Sequence, residues 1–155
     1  WNTSAVTDMS YMFWGASTFD QDLSKWNTSA VTTMKAMFDD ASSFDGNISP
    51  WNTSAVTEMS FMFRGASSFA QEDLAHWDTS AVTTMESMFS YASAFNGNIS
   101  SWNTSAVTDM SYMFDGASSF NQGLSSWNTT AVTTMNFMFN GASSFNGNIA
   151  SWNMS

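Results

Sequence analysis

Cysteine is absent from the 155-residue chain, and proline occurs once, at Pro50. The first absence removes a disulfide framework and thiolate-bound zinc. Lysine and arginine together number three against 13 acids, giving a formal net charge of −10, and His76 is the single histidine. A chain so poor in cations lacks the basic patches that nucleic acids and anionic membrane surfaces require. No apolar run is long enough to span a bilayer. Leucine occurs only three times, yet 43% of the residues are hydrophobic, because 13 Met, 14 Phe and 8 Trp supply the apolar mass. Charged residues are only 10%, so Ser, Thr and Asn must wet most of the surface. That composition is common outside the cell.

What is present is one phrase written repeatedly. "WNTSAVTDMSYMF" opens the chain, returns at 102–114, and appears as "WNTSAVTEMSFMF" at 51–63. The motif tryptophans are Trp1, Trp26, Trp51, Trp77, Trp102, Trp127 and Trp152. Such a fixed period marks a repeat array. The units are 1–25, 26–50, 51–76, 77–101, 102–126 and 127–151, with a partial unit at 152–155, all in one domain spanning 1–155. The third unit carries one extra residue, where "AQED" stands in place of the "DQD" of residues 20–22.

In the first unit, Met9, Met12, Phe13 and Ala16 stand at i, i+3, i+4 and i+7, which predicts one face of a short helix. Thr7 is placed to cap it, Asp8 to favour its N-terminus and Gly15 to stop it. The alternation from Leu23 to Thr28 predicts a strand with Trp26 and Thr28 inward; Met154, which replaces the motif Thr in the last unit, suits an inward site. A lone unit leaves much of its apolar side uncovered, whereas stacked units cover one another. The expected fold is therefore an α/β repeat solenoid, one short strand and one short helix per 25-residue unit, six units long.

The frame carried by Ile99, Trp102, Thr104 and Val107 resembles the LxxLxLxxN skeleton of leucine-rich repeats. The V-T-x-M-x-x-M-F-x-x-A stretch resembles BspA-like repeats, and W-[ND]-T-S-x-V-T-x-M-x-x-M-F resembles the 25–26-residue surface-protein repeats of mycoplasma-type lipoproteins. The resemblance covers all six units. It implies a right-handed leucine-rich-repeat-like coil on secreted or cell-surface proteins, used for adhesion, display or structure, and it brings no enzymatic activity.

A second, doubled period runs beneath the first. Odd units place an acid before the first Met (Asp8, Glu58, Asp109) and even units a Thr (Thr33, Thr84, Thr134). Even units read "GNI" before the next Trp, and odd units "QDL", "QEDL" or "QGL". Duplication of a two-unit block accounts for this; a contact recurring on every second rung is the alternative.

N-x-[ST] is the acceptor pattern for N-glycosylation. It occurs at Asn2, Asn27, Asn47, Asn52, Asn98, Asn103, Asn128 and Asn153, while Asp78 replaces Asn in the fourth unit. Two readings stay open at the Trp-adjacent positions: glycan attachment, or a ladder of outward amides hydrogen-bonded from rung to rung. The outward strand face would comprise Lys25, Ser29, Pro50, Ser54, His76, Asp78 and Ser80 together with Asn27 and Asn52. His76 sits at a site held elsewhere by Lys25, Pro50 and Ser101, which suits a surface residue rather than a base. The acids Asp20, Asp22, Asp39, Asp40 and Asp45 lack the spacing of a calcium loop, and the Met pairs repeat as core residues do. Tyr11, Trp14, Phe61, Tyr112 and Phe137 occupy positions that vary between units, either as lateral contacts or as half-covered edges.

No catalytic, metal or cofactor site is expected. The expected function is a structural or adhesive segment of an extracellular or cell-surface repeat protein, a fibre-forming and glycosylated rod. Neither Trp1 nor "WNMS" resembles a polar cap, so association end to end or with further repeats is expected. A protein- or glycan-binding module on the outward strand face is the alternative, and ice binding by the Thr and Ser rows a further one.

Overall fold

The computed structural model describes residues 1–152. The helix expected in each unit does not form, nor does the strand expected at Leu23–Thr28. Among the described residues there is no helix, and extended pairing is confined to isolated parallel bridges. The expected α/β leucine-rich-repeat-like coil gives way to rungs built of consecutive turns, one rung per unit.

Backbone hydrogen bonding supplies the reason. In a helix each N–H reaches back four residues along its own chain. Here the N–H groups of Met9, Tyr11, Phe13 and Gly15 donate instead to the carbonyls of Thr33, Lys35, Met37 and Asp39 in the next unit, at 3.1, 2.9, 2.8 and 2.8 Å. The N–H groups between them, on Met12, Trp14 and Ala16, close tight turns onto Met9, Tyr11 and Phe13. Two residues per unit adopt left-handed backbone: Tyr11 and Gly15, then Ala36 and Asp40, Phe61 and Gly65, Ser87 and Tyr91, Tyr112 and Gly116, Phe137 and Gly141. Each reverses the local twist and prevents a helix from propagating. The helical spacing of the Met and Phe residues persists because successive turns also gather every third and fourth side chain on one side.

The chain turns again before each motif Trp, with the Trp26 N–H donating to the Leu23 carbonyl at 3.0 Å. Bridging falls instead at the eighth place of the unit, along Asp8, Thr33, Glu58, Thr84, Asp109 and Thr134. A further bridge joins Asp73 to Asn98, beside the extra residue of the third unit.

Because the units repeat in register, each core side chain meets its own kind on the next rung. Phe13, Phe38, Phe63, Phe89, Phe114 and Phe139 form one column, with ring centroids 5.3 to 5.8 Å apart. A second column runs from Phe19 to Phe145, and the motif tryptophans stack from Trp1 to Trp102 and again from Trp127 to Trp152. Flat rings offset-stack at such distances, and unbranched Met fills the space between them. This accounts for a core of Phe, Trp and Met in place of Leu.

Polar groups are bonded from rung to rung. The buried Thr28, Thr53, Thr79 and Thr104 donate Oγ1 to the carbonyls of Asn52, Asp78, Asn103 and Asn128, at 2.9 to 3.0 Å. The indole Nε1 of Trp51, Trp102, Trp127 and Trp152 donates to the carbonyls of Leu23, Leu74, Ile99 and Leu124. Trp77, which follows the extra residue, is equally buried, yet its Nε1 has no partner.

The doubled period has a physical basis. A Cβ on Gly46, Gly97 or Gly147 would lie 2.1 to 2.3 Å from the main-chain carbonyl oxygen of Gln21, Gln71 or Gln122 on the preceding odd rung. Only glycine permits that approach. In the other direction, Nε2 of Gln71 and Gln122 reaches back to the carbonyls of Asp45 and Asn96, each at 2.8 Å. Hydroxyl pairs Ser10–Thr33, Ser60–Thr84 and Ser111–Thr134 join each odd rung to the even rung that follows. The two junction types thus carry different bonds, beyond any history of duplication.

Candidate functional site

Two edges of the stack present side chains to solvent in a regular order. The first follows the motif Trp. Asn2, Asn27, Asn47, Asn52, Asn98, Asn103 and Asn128 are all exposed; Asn153 and Met154 lie outside the described residues. Their amides do not form the rung-to-rung ladder. Each Oδ1 accepts the N–H two residues on, as Asn52 does from Ser54 at 3.0 Å, and the Ser54 hydroxyl adds a second bond at 2.8 Å. This local turn is a habitual conformation of Asn and Asp. Asp78 holds the same geometry, accepting from the Ser80 N–H at 3.0 Å. The hydrogen bonds from Ser80 hold the Asp78 carboxyl below the usual carboxylate range, and bonds from Ser10 and Ser24 do the same for Asp8 and Asp22.

Lys25, Ser29, Pro50, Ser54, His76 and Ser80 are exposed along this edge, which is made of turns rather than a strand. His76 Nε2 lies 3.4 Å from an Asp73 carboxylate oxygen, both side chains open to water.

A side-chain ladder does exist, at the twentieth place of the unit. Asp20 Oδ1 accepts the Asp45 N–H, and Asp45 Oδ1 accepts the Ala70 N–H; Asn96 and Asn121 repeat this toward Asn121 and Asn146. Ala70 interrupts it. Beside that break lies a hollow of about 400 Å³ lined by Ala70, Glu72, Ala94, Asn96, Asn98 and Gln122. Among the described residues no three acids or histidines converge to hold a metal. Two threonine rows run up the stack. Thr3 to Thr129 are buried, whereas Thr32, Thr57, Thr83, Thr108 and Thr133 are exposed, each hydroxyl donating to the preceding Thr carbonyl of its row.

The second edge is formed by the left-handed turns. Its leading position carries Tyr11, Ala36, Phe61, Ser87, Tyr112 and Phe137. Where rings occupy neighbouring rungs they stack: Tyr112 and Phe137 lie 5.2 Å apart at 15°. Where Ala36 intervenes, a slot of about 240 Å³ opens, lined by Tyr11, Lys35, Ala36, Asp39, Phe61 and Arg64. Arg64 Nε and Nη2 hold the buried Asp39 carboxylate at 2.8 and 2.7 Å, and the guanidinium lies 5.1 Å from the Phe61 ring centroid. One unit-pair further on, burial and the nearby Asp109 raise the Glu86 carboxyl above its ordinary range. The sequence signal for this edge was the alternation of aromatic and small residues at one place in the unit, hidden by assigning that place to a helix.

A family model described as "Mycoplasma protein of unknown function, DUF285" matches residues 1–74 and again residues 70–155. The two matches meet at the extra residue of the third unit. Comparison with curated proteins and with solved structures returns no match.

Proposed function

Because the chain belongs to this mycoplasma repeat family over its whole length, we propose that it acts as a structural, surface-displayed rod segment that extends by adding rung to rung. The carrying observation is that every inner rung is hydrogen-bonded to both neighbours: the N–H groups at its ninth, eleventh, thirteenth and fifteenth places donate to the next unit, while the N–H at its seventh place donates to the preceding one, as Thr57 does to Thr32. On the last full rung the N–H groups of Met135, Phe137, Phe139 and Gly141 find no acceptor among the described residues, and on the first the carbonyls of Asp8, Ser10, Met12 and Trp14 find no donor. Both end faces are apolar. Trp1 is 96% exposed, and Met135, Phe137, Met138, Phe139, Ile149 and Trp152 line an open hollow of about 180 Å³. A further unit, from the same chain or a second copy, would satisfy both faces in a head-to-tail sense. The reading places the chain outside the cell and assigns it no catalytic step.

Sedimentation velocity over a wide concentration range, with electron microscopy, tests this. The expected result is end-to-end association, suppressed by Phe139→Asp with circular dichroism unchanged. Strictly single short particles at the highest concentration would sink it.

A second reading, glycan attachment, draws support from the described sequon asparagines, which are exposed and use Oδ1, not Nδ2, in their turns. Unmodified peptides at every sequon, by mass spectrometry after secretion from a eukaryotic cell, would eliminate it.

A further inference from the structure

The slot between Tyr11 and Phe61 has features that no other place on the stack combines. Its two ring-bearing rungs are separated by one rung, a distance of roughly 10 Å. The intervening residue is Ala36, 1% exposed, whose methyl group floors the slot. The ring pair at the other end of this edge shows what normally fills such a place, since Phe137 stacks on Tyr112 at 5.2 Å. The slot is therefore a column with one ring missing. A ring entering it would sit about 5 Å from each wall. That matches the 5.2 Å spacing of Phe137 on Tyr112, and a pyranose presenting its C–H face to an aromatic fills the same space.

The polar groups narrow the chemistry. Lys35 and Arg64 are two of the three cationic side chains in the whole sequence. The Lys35 ammonium makes no hydrogen bond or ion pair among the described residues. Arg64 uses Nε and Nη2 on Asp39, which leaves Nη1 without a protein partner. Each Asp39 oxygen accepts one bond of that fork, and burial closes the carboxylate to a ligand. Asp39 balances the Arg64 charge and Asp40 lies near it, so Lys35 is the cation left to an anionic ligand; with Nη1 of Arg64 and the Tyr11 hydroxyl, the slot offers donors to a ligand whose periphery is oxygen.

We propose that this slot binds a single hexuronic-acid ring. The pyranose lies over Ala36 against the Tyr11 ring and beside the Arg64 guanidinium that covers Phe61, and its carboxylate is held by Lys35 and Nη1 of Arg64. The rest of a glycan would leave the slot away from the rod axis, so a chain end or a branch is recognised. Aromatic faces take the apolar side of such a ring, and cations in a partly dry site take its charge. This goes beyond the rod function and does not depend on it.

The test is an NMR titration of the isotope-labelled chain with methyl β-glucuronide and, separately, methyl β-glucoside. Saturable shifts at the amides of Lys35, Ala36 and Phe61 are expected with the glucuronide, and binding about tenfold weaker with the glucoside. Ala36→Tyr supplies the missing ring at a left-handed position where Tyr11 and Tyr112 already stand; it should abolish the response while the melting temperature holds. Lys35→Met should bring the glucuronide down to the affinity of the glucoside. No saturable shift with the glucuronide overturns the proposal, as does a response that survives Ala36→Tyr. Equal glucuronide affinity in Lys35→Met and the parent chain also overturns it. So does self-association through this edge that Ala36→Tyr removes while neither sugar binds.

Discussion

The Trp-adjacent edge and the left-handed edge are built from the same backbone ladder, yet they treat side chains in opposite ways. Along the first, the Asn or Asp side chain is bonded within its own turn, and reaching across is left to hydroxyls such as that of Ser101, which donates to the Ala75 carbonyl. Along the second, side chains reach across rungs: Arg64 grips Asp39 of the unit before, and Asn140 Nδ2 donates to Asp115 at 2.7 Å. The first edge is repetitive because the bonds of its Asn and Asp side chains are local. The second varies because each rung answers to what lies above and below it.

Substitutions should separate the two edges by the size of their effects. Arg64→Met leaves the Asp39 carboxylate buried without its partner, and we expect a loss of about 2 kcal/mol, below the full cost of breaking a buried pair because the arginine is itself partly in water. Chemical denaturation would measure it, and a loss under a few tenths would mean that the cross-rung grip is ornamental. Thr79→Val, just behind the Trp-adjacent edge, strands the Asn103 carbonyl and should cost about 1–2 kcal/mol. Asn52→Ala at the edge itself should cost less, about 1 kcal/mol, while Asn52→Asp, which copies Asp78, should stay within about 0.5 kcal/mol. If Asn52→Asp proves as damaging as Asn52→Ala, the amide serves something other than its own turn.

Acidity gives the smallest and cleanest contrast. The depressed Asp78 carboxyl favours the folded state above its unfolded pKa, and that contribution fades as pH falls through the folded value. Glu86 is the reverse. Its raised carboxyl opposes folding once pH rises through the unfolded value toward the folded one, so Glu86→Gln should raise the melting temperature slightly at neutral pH and not at all in acid. Melts at pH 3 and pH 7 would check the sign; a gain that is the same in acid would locate the effect in packing.

The repeat register and the stacking partners were legible, because a tryptophan every 25 residues with buried threonine two places on admits few arrangements. The rung geometry was not. Met9, Met12, Phe13 and Ala16 fall on one side in a helix and in a run of turns alike, so periodicity could not separate them. The discriminating fact is that Tyr11, Phe61, Tyr112 and Phe137 tolerate left-handed backbone, an unusual demand on bulky residues that only neighbouring rungs enforce. A ladder of amides was one of two readings beside Trp, and a side-chain ladder stands instead at Asp20, Asp45, Asn96 and Asn121. Nothing in a single unit distinguishes an Asn that bonds within its turn from one that bonds across.

The orphaned indole of Trp77 coincides with the interrupted column at Ala70 and with the extra residue between them. Pulled along its length, the array should tear there before anywhere else, parting into two three-unit halves. Optical-tweezer traces of the chain should then show a first rupture releasing about half its contour.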